Sequence, residues 1–173
     1  METIRTCIGF HGEAEEAANL YVDAFSRAFG DSKILKITYY GDEELEALRE
    51  VPDVTEEFMP GPPGSVKDVR FLLNGDELMA FNGGGYFGNF TESVSLYVSC
   101  KTQDQIDGLW EKLSEGGIEQ QCGWLKDRFG VSWQIAPEII QEIMEGPDQE
   151  RAQRVMKVLY GMKKIEIEEI LKA

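Results

Sequence analysis

Apolar and polar positions change their period several times along the chain, and each change marks an element. Thr3 to His11 is short and mixed and reads as a strand, which Gly12 ends. From there Ala14, Ala17, Ala18, Tyr21, Ala24, Phe25, Ala28 and Phe29 recur at three- and four-residue steps. Glu13, Glu15, Glu16, Asp23 and Arg27 fall between them, the spacing of an amphipathic helix with acids in its first turn. Gly30 stops that helix. Lys33 to Tyr40 is β-branched and aromatic, a second strand. Residues 42–59 hold eight acids and run into Pro60-Gly61-Pro62-Pro63-Gly64. They read as a surface excursion with a short helix around Leu45 and Leu48. Val66 to Leu73 and Glu77 to Phe81 are apolar runs joined through Asn74-Gly75, a strong hairpin signal.

The second half repeats this order. Val94, Leu96, Val98 and Cys100 alternate with Ser93, Ser95, Tyr97 and Ser99, which predicts a strand at period two. Thr102 with Gln105 forms a capping box, and Ile106, Leu109, Trp110 and Leu113 make a helical stripe ended by Gly116-Gly117. Short strands are expected at Ile118 to Gln120, Gly123 to Lys126 and Val131 to Ala136. Tyr21 lies ten residues after His11, and Trp110 ten after Cys100, so the two strand–helix units keep a common spacing. Beyond Pro137 the strand signal disappears. Ile139, Ile140, Ile143 and Met144 form one helical stripe; Asp148 caps another that carries Ala152, Val155, Met156, Leu159 and Met162. Lys163-Lys164 sits where cations suit a helix C-terminus. This tail must bury its apolar face on its own sheet or on a second subunit.

Composition narrows the function. The 173 residues carry a formal charge of −15, which argues against sequence-independent nucleic-acid binding and against docking on an anionic membrane surface. No window approaches the roughly 18 apolar residues that a membrane span needs. With charges at Glu2 and Arg5 and no long apolar stretch near the N-terminus, no secretory signal is expected. Cys7, Cys100 and Cys122 are odd in number and widely spaced, as in a reduced, cytoplasmic protein. Cys7 and Cys100 read as small core residues. Cys122, beside Trp124 and Lys126, lacks a histidine that would act as its base and reads as structural.

Two strand–helix–three-strand modules resemble the glyoxalase/bleomycin resistance/dioxygenase superfamily, also called vicinal oxygen chelate proteins. Within it, the chain is similar to the PhnB-like family, labelled as a 3-demethylubiquinone-9 3-methyltransferase domain. The resemblance is carried by residues 12–18 (GEAEEAA) with Tyr21, by residues 81–84 (FNGG), by residues 110–113 (WEKL), by residues 121–127 (QCGWLKD), and by Phe129-Gly130 with Ser132-Trp133-Gln134. Residues 152–156 and 162–165 of the tail also look like the family. The implied fold is α+β: two paired βαβββ modules forming a cup-shaped mixed sheet, plus C-terminal helices, usually in a homodimer. Module one then covers 1–90, module two 91–136 and the helical extension 137–173 of one glyoxalase-like domain.

In metal-dependent members of the superfamily each module gives ligands from its first and last strands. The corresponding positions fall near Thr6, Ala80, Ser93 and Gln134, of which only Gln134 can coordinate, and a neutral amide is a weak ligand. One histidine also excludes a two-histidine, one-carboxylate iron site within a single chain. No metal and no cofactor are therefore expected. Gly83-Gly84-Gly85-Tyr86-Phe87-Gly88 satisfies G-x-G-x-x-G, but the next element is a strand and not the helix that a dinucleotide or a Rossmann-type methyltransferase requires. The run reads as a crossover between modules. Glu13, Glu15 and Glu16 read as solvated first-turn acids.

The leading expectation is a small-molecule ligand held in a pocket between the modules. Its candidate lining residues are Tyr39, Phe81, Asn82, Tyr97, Trp124, Lys126, Trp133 and Gln134, aromatics with a few hydrogen-bonding groups. A lyase or other enzyme of the superfamily, with unconventional ligands or with His11 as acid–base, is the alternative. A methyltransferase, as the family label suggests, and a non-catalytic interaction domain complete the set. The expected protein is a cytoplasmic homodimer with no nucleic-acid or membrane partner.

Overall fold

Alanine at Ala14, Ala17, Ala18 and Ala24, with Tyr21 and Phe25, gives the first helix one flat apolar face that is fully or almost fully buried. Small residues let its axis approach a sheet closely, and the two rings fill what remains. In the computed structural model, which describes residues 4–173, this helix is α1 (Ala14–Ala28). Thr3, where the sequence places the start of the first strand, lies outside the described residues.

The first unit, up to Asn89, holds β1 (Thr6–Phe10), α1, β2 (Lys33–Tyr39), α2 (Asp42–Arg49), β3 (Val66–Leu73) and β4 (Asp76–Asn82). Its four strands lie in the order β1-β4-β3-β2, with β1 parallel to β4 and the other pairs antiparallel. The second unit, from Phe90, holds β5 (Leu96–Cys100), α3 (Gln103–Ser114), β6 (Ile118–Glu119), β7 (Trp124–Lys126) and β8 (Ser132–Pro137). Their order, β5-β8-β7-β6, repeats the same mixture of one parallel and two antiparallel pairs. The α+β class and the internal repeat are thus both present. The parallel pair in each sheet is possible because a helix carries the chain back after the first strand.

Each sheet buries one face under its helix. In the first, Ile8, Phe10, Val69, Phe71, Leu73, Leu78 and Ala80 form that face, and the Tyr21 ring lies 6.2 Å from that of Phe71. In the second, Val98, Cys100, Leu125, Trp133 and Ile135 share parity and burial with Ile106, Leu109, Trp110 and Leu113 of α3. The capping box is made as expected, with Thr102 accepting from Gln105 N and Gln105 reaching back.

Cys7 departs from the sequence reading: it is exposed, because parity places it opposite Ile8 and Phe10 on the face away from α1. Residues 42–64 are more ordered than a bare excursion. They contain the two-turn α2 around buried Leu45 and a 3-10 turn over Glu56–Phe58.

The tail resolves in favour of its own chain. α4 (Glu138–Glu145), α5 (Gln149–Leu159) and α6 (Ile167–Lys172) gather Ile143, Ala152, Val155, Leu159, Ile165 and Ile170 into one cluster with Ala136 of β8. Asp148 caps α5 by accepting from Arg151 N at 2.9 Å. The chain after α5 is stitched to the loop before β7, where Cys122 N donates to Met162 O and Gly123 N to Lys163 O, both at 2.8 Å. Lys163 and Lys164 reach other elements: Lys164 pairs with Asp107 of α3 at 2.5 Å, and Lys163 with Glu119 at 3.7 Å. No helix among the described residues is long and apolar enough to cross a membrane.

Candidate functional site

A sheet with one face under a helix leaves the other for chemistry, so strand parity decides which side chains are available. In the second sheet, Tyr97 of β5 pairs in register with Gln134 of β8, and Gln134 with Trp124 of β7. The three therefore stand side by side across three adjacent strands, on the face opposite α3. Tyr97 is 52% exposed, and Trp124 and Gln134 are half-buried. Gln134 Nε2 donates to Ser95 Oγ at 2.7 Å, which fixes the amide plane. Burial pushes the Tyr97 phenol up, with the Cys100 thiol adding to it, so the hydroxyl is a neutral donor.

Lys126 shares this face and pairs with Glu92 at 2.8 Å. The Lys126 hydrogen bond is the main reason that the Glu92 carboxyl is pulled down to about 2, with a backbone hydrogen bond and Gln120 adding to it. Four of the candidate residues thus come together: Tyr97, Trp124, Lys126 and Gln134.

The other candidates are placed elsewhere. Trp133 is 1% exposed on the α3 side, donating from Nε1 to Asp127 Oδ2 at 2.9 Å. Asp127 also accepts from Phe129 N and Val131 N, so it holds the turn that enters β8. Asn82 is buried on the α1 side; its Oδ1 accepts from Ala14 N at 3.0 Å and its Nδ2 donates to Val66 O at 2.9 Å. It satisfies the first free amide of α1 from a distant strand, a capping task. Phe81 lies on the open face of the first sheet, edge-on to Phe87 with ring centroids 5.9 Å apart. Tyr39 is 57% exposed at the end of β2, while its neighbour Tyr40 is buried and donates to Asn82 O at 2.5 Å. A register shift at Thr38/Tyr39 exchanges the two sides of the strand there, a signal absent from the alternation of residues.

His11 is exposed just past β1, and no hydrogen bond or ion pair engages it among the described residues.

The positions corresponding to metal ligands do not fit a metal. Thr6 and Ala80 have the parity of the α1 side, and Ala80 is fully buried there. Ser93 lies in a turn before β5, so of these four positions Gln134 alone puts a donor on an open face. Among the described residues no three His, Cys, Asp or Glu side chains gather as a metal site would require. The glycine run does not fit a nucleotide or a methyl-donor cofactor either. It forms a single 3-10 turn over Gly84–Tyr86, and the space that a Cβ would take at Gly84 and Gly85 is occupied by backbone: Met59 O at 2.5 Å and Glu57 O at 2.6 Å.

The family model described as 3-demethylubiquinone-9 3-methyltransferase matches residues 2–136. The chain belongs to this family. The match ends at Ala136, so α4 to α6 lie beyond it. A PhnB protein from Bacillus cereus, which bears the same methyltransferase designation, is 33% identical at a TM-score of 0.60, covering 79% of this chain and 99% of its own. Protein PA1353 from Pseudomonas aeruginosa has the same fold at 17% identity and a TM-score of 0.58, over 80% of this chain and 98% of its own. A glyoxalase/bleomycin resistance protein from Albidiferax ferrireducens T118 aligns at 12% identity and a TM-score of 0.47, over 79% and 98%. No curated protein matches.

Proposed function

We propose that this family member binds a small organic molecule without a catalytic metal, holding it against Tyr97, Gln134 and Trp124 on the open face of the second sheet. The observation that carries this reading is their register: an amide flanked by two aromatic rings, one from each neighbouring strand. The rings offer a flat apolar body a large contact area at little cost in side-chain entropy, and the amide sets its orientation. Lys126 is neutralised by Glu92, so this face makes no strong demand for an anionic ligand. The metal-free part rests on the donors at the family's ligand positions, where Thr6, Ala80 and Ser93 accompany a single neutral amide. We place the protein in the cytoplasm as a homodimer, and its three free thiols suit a reducing compartment.

Native mass spectrometry of freshly isolated protein, paired with elemental analysis, tests the reading. A two-chain species carrying an organic adduct of about 300 Da, a usual size for such a pocket, is the expected result. Trp124→Ala should release the adduct and His11→Ala should leave it bound. A stoichiometric divalent ion that disappears in Gln134→Ala overturns the proposal.

A further inference from the structure

We propose a second ligand site, in the first unit, that takes small apolar cations: an aromatic or aliphatic body carrying one positive charge. It is a cavity of about 420 Å³ between the end of the first sheet and residues 42–60. One face of α2 forms its wall through Glu44, Ala47 and Leu48, three and four residues apart as a single helical face must be, and Val51, just past the end of the helix, continues it. Phe58, Phe81 and Tyr86 close the remaining sides. The volume lies within the range of pockets that hold drug-sized ligands.

The glycine turn and the acidic excursion, which have no evident role as sequence, have one together here. Gly84 has φ +57, and a Cβ on it would lie 2.5 Å from Met59 O. Bare glycines at 84 and 85 therefore let the crossover lie directly on the backbone of residues 57–59, which pins the 3-10 turn in place as a wall. The same segment sets the sign of the ligand. Residues 42–59 hold eight acids and one base, Arg49, which is itself bound to Glu56 at 3.2 Å. Lys67, a cation on the wall, is paired with Glu44 and sits 5.7 Å from the centre of the Tyr40 ring.

An anion entering the cavity would have to break the Lys67–Glu44 pair and approach through a field of like charge. A cation meets an attractive field and a wall that carries the aromatic side chains of Phe58, Phe81 and Tyr86. Tyr97, Trp124 and Gln134 take no part in this cavity, so the two proposals fail independently.

Tetraphenylphosphonium and tetraphenylborate share a shape and differ in sign, and calorimetric titration of the full chain with each tests the site. The phosphonium ion should bind one per chain, about tenfold more tightly than the borate at low salt, with the advantage shrinking as salt screens the acids. Ala47→Trp, at an exposed position on the cavity side of α2, fills the space without altering the net charge. It should weaken phosphonium binding by about tenfold or more while the thermal melt stays unchanged. Glu44→Gln should weaken it by about threefold and narrow the preference between the two ions. Trp124→Ala should leave phosphonium binding intact.

Equal affinity for both ions, preference for the borate, or binding by neither overturns the proposal. So does phosphonium binding that survives Ala47→Trp in a folded chain, which would mark a diffuse attraction to the acidic surface.

Discussion

Tyr40 shows how much a single side chain can carry. Its ring lies under Lys67, its hydroxyl donates to Asn82 O, and its phenol is pushed up to about 12, first by burial and then by the charges of Glu44 and Asp68. An acid whose folded pKa lies above its ordinary value of 10.0 adds stability that is fully present below pH 10 and is lost as the pH rises through about 12. An alkaline absorbance titration of Tyr40→Phe should therefore lack one late-ionising phenol. Stability at neutral pH should fall by about 1 kcal/mol, the usual net value of a lost hydrogen bond. A titration curve that keeps all its late phenols would show that Tyr40 ionises early. The neighbouring Tyr39 has the same side chain and none of these contacts, because the register shift turns one inward and the other outward. Asn82 and Trp133 read from sequence as polar and aromatic pocket groups. Their polar atoms are instead committed to the first amide of α1 and to Asp127.

The three C-terminal helices lie outside the family match yet belong to the second unit, held to its strands and the loop before β7 by backbone hydrogen bonds and by apolar packing. Gly123 makes the join possible. At φ +80 it brings its backbone against Ile135 O, and a Cβ there would also strike Ile165 Cδ1 at 2.8 Å. Ile165 is 1% exposed and belongs to the helical cluster. Ile165→Ala is expected to cost about 3 kcal/mol, the usual result of emptying a buried aliphatic site. Urea unfolding measured by fluorescence would read this as a lower midpoint at unchanged slope. A loss below about 1 kcal/mol would mean that the tail adds little to the second unit's stability. The stripe Ala152, Val155, Leu159 is legible as a helix face from its spacing alone. What it covers is not, since an apolar stripe has the same spacing whether it meets its own sheet or another chain.

With a formal charge of −15, the molecule as a whole works against itself electrostatically. Its ion pairs are largely exposed, and such pairs return little stability. Raising salt from about 20 mM to about 300 mM shortens the screening length to well below the molecule's dimensions, and the melting temperature should rise. A fall in melting temperature over that range would mean that specific ion pairs outweigh the general repulsion. The same charge is divided unevenly between the two units' candidate sites. The second sheet's open face carries a neutralised Lys126–Glu92 pair, whereas the first unit's cavity is bordered by the densest acidic run of the chain.

Local order was open to reading from sequence because its causes are local. Period three-to-four made α1 and α3 visible, period two made β5 visible, Asn74-Gly75 marked the β3–β4 turn, and the Thr102–Gln105 and Asp148 caps act within one helical turn. The repeat of strand, helix and three strands came from those elements in order, and the resemblance to the family from the motifs at residues 12–18, 81–84, 110–113 and 121–127. Facing was decided only in three dimensions. Whether Cys7 is core or exposed, whether Tyr39 or Tyr40 points inward, and whether Trp133 lines a pocket or a core all depend on strand pairing between residues far apart in the chain. The acidic excursion and the glycine run lie some 25 residues apart and have no common pattern. They become two walls of one cavity because backbone meets backbone at Gly84 and Met59, a contact made possible by the absence of a side chain.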